Sequence, residues 1–139
     1  MATFPLKVLT MQGVAFEGEV LSLTLPTEFG PTMIEPGYTN FMASISPAGV
    51  MKIIDNDGTH YYAVFGGVVD VVKGGLTTVY CEELNEGYKI DLARAMAARD
   101  RNLDRIASNA ENIDMAKARA HLAKALVRIS VKRLSEGEM

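Results

Sequence analysis

Along residues 1–87 apolar positions repeat every second residue. Leu21, Leu23 and Leu25 alternate with Ser22 and Thr24, the period of a strand buried on one face. Turn residues interrupt the pattern at short intervals: Gly13, Gly18, Gly30, Pro36-Gly37, Pro47 to Gly49, Asp57-Gly58 and Gly74-Gly75. The stretch Asp55-Asn56-Asp57-Gly58 separates Val50–Ile54 from Tyr61–Phe65 and predicts a hairpin. Lys73-Gly74-Gly75 separates Val68–Val72 from Leu76–Cys81 and predicts a second. Gly66-Gly67 lies among strand residues, where it predicts a turn or bulge and not a phosphate cradle. Many short strands with no helix between them predict a sandwich or barrel.

The pattern changes at Gly87. From Ile90 onward no Gly or Pro occurs until Gly137, and Ala, Leu, Arg and Lys dominate. These are helix formers. Asp91 suits a cap or an acid in the first turn. The run Ser108-Asn109-Ala110-Glu111-Asn112 is the natural break, giving two helices of roughly 18 to 22 residues each. In the second helix Met115, Ala118, Leu122, Ala125, Leu126 and Ile129 form an apolar stripe at spacings of three and four. Alanines let two helices approach closely but bury little, so the seam contributes only a few kcal/mol at about 25 cal/mol per Å². A hairpin held that weakly can open.

The boundary is also a boundary of charge. Residues 1–89 carry four Lys/Arg against ten Asp/Glu, giving −6; residues 90–139 carry ten against seven, giving +3. Two modules, 1–87 and 88–139, with different partners are expected. The basic half is too weakly charged and too poor in aromatics for nucleic acid. The longest apolar runs are far short of a membrane span, so no direct membrane insertion is expected. Met1–Leu9 does not have the form of a secretory signal. The single cysteine, Cys81, excludes an internal disulfide and suits a reducing cytoplasm.

Catalytic chemistry is hard to find. No Walker A spacing occurs. His60 and His121 have no metal-ligand partner at helical or strand spacing, and both suit surface positions. Neither belongs to a base–nucleophile–orienter set. Cys81 reads as a small buried hydrophobe, and the eight methionines read as core filler. The second helix is more informative. Lys117, His121, Lys124, Arg128 and Lys132 fall four, three, four and four apart and line one face. The face is either a solvated surface or a ridge that docks on an acidic partner.

Several blocks taken in order resemble a known family. Phe16-Glu17-Gly18-Glu19-Val20 before a Leu-rich strand resembles the opening of F-type ATP synthase epsilon subunits. Pro36-Gly37, then Pro47 with Gly49-Val50-Met51-Lys52-Ile53, are similar to the next blocks. Phe65-Gly66-Gly67-Val68-Val69-Asp70-Val71 resembles the family's Ser-Gly-Gly hairpin. Ile90-Asp91-Leu92-Ala93-Arg94-Ala95 matches its Ile/Leu-Asp-x-x-Arg-Ala motif. The resemblance covers nearly the whole chain. Two departures stand out: Gly37-Tyr38-Thr39-Asn40 replaces a Gly-His-x-Pro segment, and Pro31 stands in a loop where the family carries an acid.

The resemblance implies an α+β fold, a ten-strand β-sandwich followed by an antiparallel two-helix hairpin. It implies a non-catalytic rotor subunit that couples ion translocation to ATP synthesis, on the cytoplasmic face of a bacterial inner membrane. The implied partners are the gamma subunit, the membrane ring of c subunits and the α/β catalytic head. Glu28, Glu35 and Tyr38 are the implied ring contacts. Lys117, Lys124, Arg128 and Lys132 are the implied inhibitory face. No cofactor is required, but a weak regulatory ATP site is implied at Ile90, Asp91, Arg94, Ala95, Arg101, Lys124 and Arg128. Helix capping alone also explains Asp91. An adaptor that uses its hairpin for unrelated partners is the alternative, and an independent enzyme a third class.

Overall fold

The alternation of the first 86 residues becomes eight strands, and the helix-forming remainder becomes two helices. The computed structural model of the chain describes residues 2–109, 111 and 114–137. The strands are β1 (Phe4–Thr10), β2 (Gly13–Val20), β3 (Ser22–Thr27), β4 (Gly30–Ile34), β5 (Phe41–Ile45), β6 (Gly49–Asp55), β7 (Gly58–Val71) and β8 (Thr77–Glu86). A 3-10 turn, Gly87–Lys89, leads into α1 (Leu92–Ser108) and α2 (Met115–Ser135).

The pairing runs β2-β1-β8-β7-β5-β3-β4, with β6 bridging β3 and β7. Every pair is antiparallel except β1 with β8. β7, fourteen residues long, pairs with β6 through its first half and with β5 through its second. β8 follows it along both halves. Two strands thus serve both layers of the sandwich, and eight strands are described where ten were expected.

Gly66-Gly67 makes this possible. The two glycines have φ of 78° and 135°. The Gly66 amide leaves the ladder to donate to the Ser46 carbonyl, yet Phe65↔Glu83 and Gly67↔Cys81 keep one register. The pair is therefore a bend inside one strand. It is neither the hairpin nor the register-shifting bulge that the sequence suggested. The hairpins expected at Asp55–Gly58 and Lys73–Gly75 are formed.

One cluster fills the sandwich: Leu6, Val8, Leu23, Leu25, Ile34, Met51, Ile53, Val64 and Val79 are among its members, each 1% exposed or less. Tyr62, Ala63, Val64 and Phe65 are buried in succession. Strict alternation fails there because Ala63 and Phe65 point outward against Val131 of α2, in a second, smaller cluster with Ile90. Met51 is core, but Met11, Met33 and Met42 are 90%, 55% and 65% exposed, so methionine is not simply filler.

The helix ends follow from local chemistry. Asp91 caps α1 and Asp114 caps α2, each accepting from the amide three residues on at 3.1 and 3.0 Å. Asn109 ends α1 in the left-handed conformation, φ 48°. Of the break expected at 108–112, Ala110 and Asn112 lie outside the described residues. Ala118, Ala125 and Ile129 of the expected stripe are buried, whereas Leu126 is 46% exposed. A second stripe, Val127 and Val131, faces the sandwich.

Candidate functional site

The basic ridge meets the sandwich. Lys124 Nζ lies 3.2 Å from Glu83 Oε1, and Arg128 Nη2 lies 2.6 Å from Glu83 Oε2. Arg128 Nε donates to Asn85 Oδ1 at 2.9 Å. Both cations stand over the Phe65 ring, at 5.3 Å for Lys124 and 4.7 Å for Arg128. Lys132 Nζ donates to the Tyr88 carbonyl at 2.9 Å and pairs with Glu136. Lys117 and His121, nearer the hairpin tip, are exposed. The ridge is thus divided: its far half is solvated, and its near half is a clasp onto β8. The side chains of Lys124, Arg128 and Glu83 remain 29–41% exposed, so each pair contributes about 0.2–1 kcal/mol.

The clasp was not visible in the sequence. Glu83 is one of two adjacent acids on β8, and nothing local marks it as the partner of residues 41 and 45 positions away. The signal that existed was the Val127–Val131 spacing, four residues on one helix face, which places Arg128 next to the docked side.

Beside the clasp lies a cavity of about 830 Å³. Ile90, Asp91, Arg94, Ala95, Arg101 and Arg128 line it, with Asn85, Glu86 and Lys89 on the sandwich side. Lys124 is not among the lining residues; its ammonium is held on Glu83. The cavity wall carries Lys89, Arg94, Arg101 and Arg128 against Glu86 and Asp91, an excess of positive charge suited to an anion. Lys89 pairs with Glu86 at 3.5 Å, which keeps its ammonium pKa above the ordinary value. Asp91 accepts the Arg94 backbone amide at Oδ1, so its cap is formed.

The expected ring contacts fall in two turns, one at each end of β4. Glu28 sits in the β3–β4 turn and accepts from the Ser44 amide at 3.0 Å; Glu35 lies beyond the other end of β4. Glu35-Pro36-Gly37-Tyr38 is a turn closed by Tyr38 N–H to Glu35 carbonyl at 3.1 Å, with Gly37 at φ 85°. The two regions are linked by packed aromatics: Phe29 on Phe41 at 6.1 Å and Tyr38 edge-on to Phe41 at 5.9 Å. Pro31, expected in a loop, is a β4 residue paired with Pro26. An edge strand tolerates the missing N–H.

The sandwich has a second face. Val14, Leu9, Tyr80 and Val68 are successive cross-strand partners over β2, β1, β8 and β7, so their side chains point to one side. Val14 is 54% and Tyr80 50% exposed, and Met42 on β5 lies on the same side. This apolar row was missed because alternation marks which residues share a face but not which face is left uncovered.

His60 lies 3.0 Å from Asp55 on the sheet surface. Burial pushes the Cys81 thiol up to about 11 and the Tyr62 phenol to about 12, the latter helped by Glu86. Both stay protonated at neutral pH, which suits packing and not nucleophilic work. Among the described residues no cluster of three or more His, Cys, Asp or Glu is placed to hold a metal.

Comparison with known proteins matches both modules in order. The family model of the β-sandwich domain of the ATP synthase delta/epsilon chain covers residues 3–86, and that of its long α-helix domain covers residues 89–133. An ATP synthase epsilon chain from Bordetella petrii is 32% identical over 123 residues, 88% of this chain and 86% of that one. A chain of the Euglena gracilis mitochondrial ATP synthase superposes with a TM-score of 0.80 at 17% identity, over 91% of this chain and 79% of the other. One from the central stalk and c-ring of the Tetrahymena thermophila mitochondrial enzyme gives 0.63 at 13% identity, over 94% and 97%.

Proposed function

The chain belongs to the family of ATP synthase delta/epsilon chains, and on that premise we propose that it is a non-catalytic rotor subunit of an F-type ATP synthase. Its sandwich holds the gamma subunit and the c-ring together so that rotation is transmitted. Its helical hairpin is the regulatory arm. The observation that carries the division is the two-sided sandwich. One outer face is covered by α2; the other carries the uncovered row Val14, Leu9, Tyr80 and Val68 with Met42. Contiguous exposed apolar side chains on a folded domain mark a docking surface. Gamma would dock on this face, and the turns that carry Glu28 and Tyr38 would meet the ring.

In the folded state the arm hides Lys124 and Arg128 on Glu83. Released, the same cations, with Lys117 and Lys132, are free to meet acidic segments of the catalytic head and block ATP hydrolysis. The chain would sit peripherally at the cytoplasmic face of a bacterial inner membrane; no described helix is long and apolar enough to cross one.

The cavity favours a regulatory nucleotide. A triphosphate beside Arg94, Arg101 and Arg128 would hold α1 near the sandwich and so favour the folded arm. ATP at ten times its Kd would add about 1.4 kcal/mol to that state, a roughly tenfold shift. Titration into the chain should therefore perturb the amides of residues 85–101, and Arg94→Ala should abolish the response.

Reconstitution of the enzyme with a chain ending at Gly87 tests the division itself. Coupled pumping should persist and inhibition of hydrolysis should vanish. Loss of gamma and ring association would overturn it. An adaptor acting through its hairpin alone would instead show no requirement for the apolar row.

A further inference from the structure

α1 buries two residues, Ala95 and Asn102. They are seven apart, two turns along one stripe, and α2 is the element packed against α1, so this stripe is the seam. Across it lie Ala118 and Ala125, also seven apart, with Leu122 between. An amide thus occupies the middle of an otherwise apolar seam. Asn102 is 2% exposed. Its Nδ2 donates to the Ala98 carbonyl at 2.7 Å, the same carbonyl that takes the Asn102 backbone amide in an α-helix. Its Oδ1 has no hydrogen-bond partner among the described residues, and no other buried side-chain polar atom among them is left so.

An orphaned buried acceptor raises the free energy of the state that buries it. When α1 and α2 separate, Oδ1 reaches water and the penalty disappears. We propose that Asn102 is a built-in destabiliser of the closed hairpin, a positioning residue that keeps the α1–α2 seam close to balance so that the clasp and any bound anion decide its state. The proposal rests on the reading of the hairpin as an arm that opens. A single asparagine at a core position of paired helices lowers stability in the same way. The alanines around it cannot compensate, because they bury so little.

The test uses the full chain with spin labels at Ala93 and Ser130, both exposed and near the open end of the hairpin. Paired-label distances give the open fraction in the parent, in Asn102→Leu and in Asn102→Ala. Leucine removes the orphan and adds apolar volume; alanine removes it without risk of overpacking. At least one of the two should lower the opening constant about tenfold or more. The same variant, in the reconstituted enzyme, should show weaker inhibition of hydrolysis. An opening constant unchanged or raised in both variants overturns the proposal and leaves the rotor assignment intact. A parent chain with no open population overturns the proposal and the arm reading together.

Discussion

The sandwich and the hairpin are both well-formed secondary structure, yet they are held in opposite ways. The sandwich closes on Leu6, Leu23, Leu25, Ile34, Met51 and Ile53, all essentially inaccessible. Each such side chain contributes about 1.5–3 kcal/mol of burial. The hairpin closes on Ala95, Ala118, Ala125, Ile129 and an unsatisfied Asn102. The backbone bonds differ as well. A strand's partners lie on other strands, as Val8 lies beside Val79, so it cannot leave without orphaning its amides. A helix satisfies its amides internally and can be lifted away as a unit. A weak seam, a half-exposed clasp and self-contained backbone bonds together describe an arm on a platform.

The platform is the more sensitive of the two to substitution. A Cβ on Gly67 would collide with the Tyr80 carbonyl, at a φ of 135° that L side chains rarely adopt. Gly67→Ala should therefore cost about 3 kcal/mol or more, and Leu23→Ala about 2–5 kcal/mol. Both should appear in denaturant unfolding as one cooperative loss of strands. Ala125→Gly, in the seam, should cost only about 1 kcal/mol of helix stability and leave the strand transition in place. A strand transition that moved with Ala125→Gly would mean one cooperative unit and no separate arm.

Glu83→Gln sharpens the contrast at its hinge. It discharges both ion pairs while keeping the shape, and should weaken docking of α2 by about 1 kcal/mol in sum. High salt should weaken the parent's docking and leave the variant's nearly unchanged. In the assembled enzyme the variant should be more inhibited, because Lys124 and Arg128 are freed. Replacing those two cations would instead remove the clasp and the proposed contacts with the catalytic head together, so the acid is the cleaner substitution.

The smallest effect lies on the sheet surface. Burial works to raise the Asp55 carboxyl, but the hydrogen bonds from His60 and from the Asp57 and Gly58 amides, with the His60 charge, outweigh it and hold the pKa below its ordinary 3.8. A depressed carboxylate contributes stability that is complete above 3.8 and is lost as pH falls through the folded value. His60→Ala should cost about 0.2–1 kcal/mol near pH 6. The deficit, followed by denaturant midpoints, should shrink as pH is lowered below 3.8.

What the sequence revealed follows the range of the interactions. Turns, caps and periods are local, so the hairpins at Asp55–Gly58 and Lys73–Gly75, the Asp91 cap and both helices were legible. Gly66-Gly67 was recognised as special, but a bend that passes one strand between two layers depends on Ser46 and Tyr80, which are distant in sequence. The basic ridge was legible as a ridge. Its division was not, because Glu83, Asn85 and Phe65 come to it only through the docking of α2. Asn102 lay in view within a run of helix formers and gave no signal until its burial and its unpaired oxygen were known.

Native-state amide exchange on the full chain tests the arm and platform most directly. Amides of β1, β7 and β8 should exchange only by global unfolding, with the full denaturant dependence. Those of α1 and α2 should exchange through a smaller opening with a shallower dependence. Helix amides as protected as the strands, with the same denaturant slope, would contradict a movable arm.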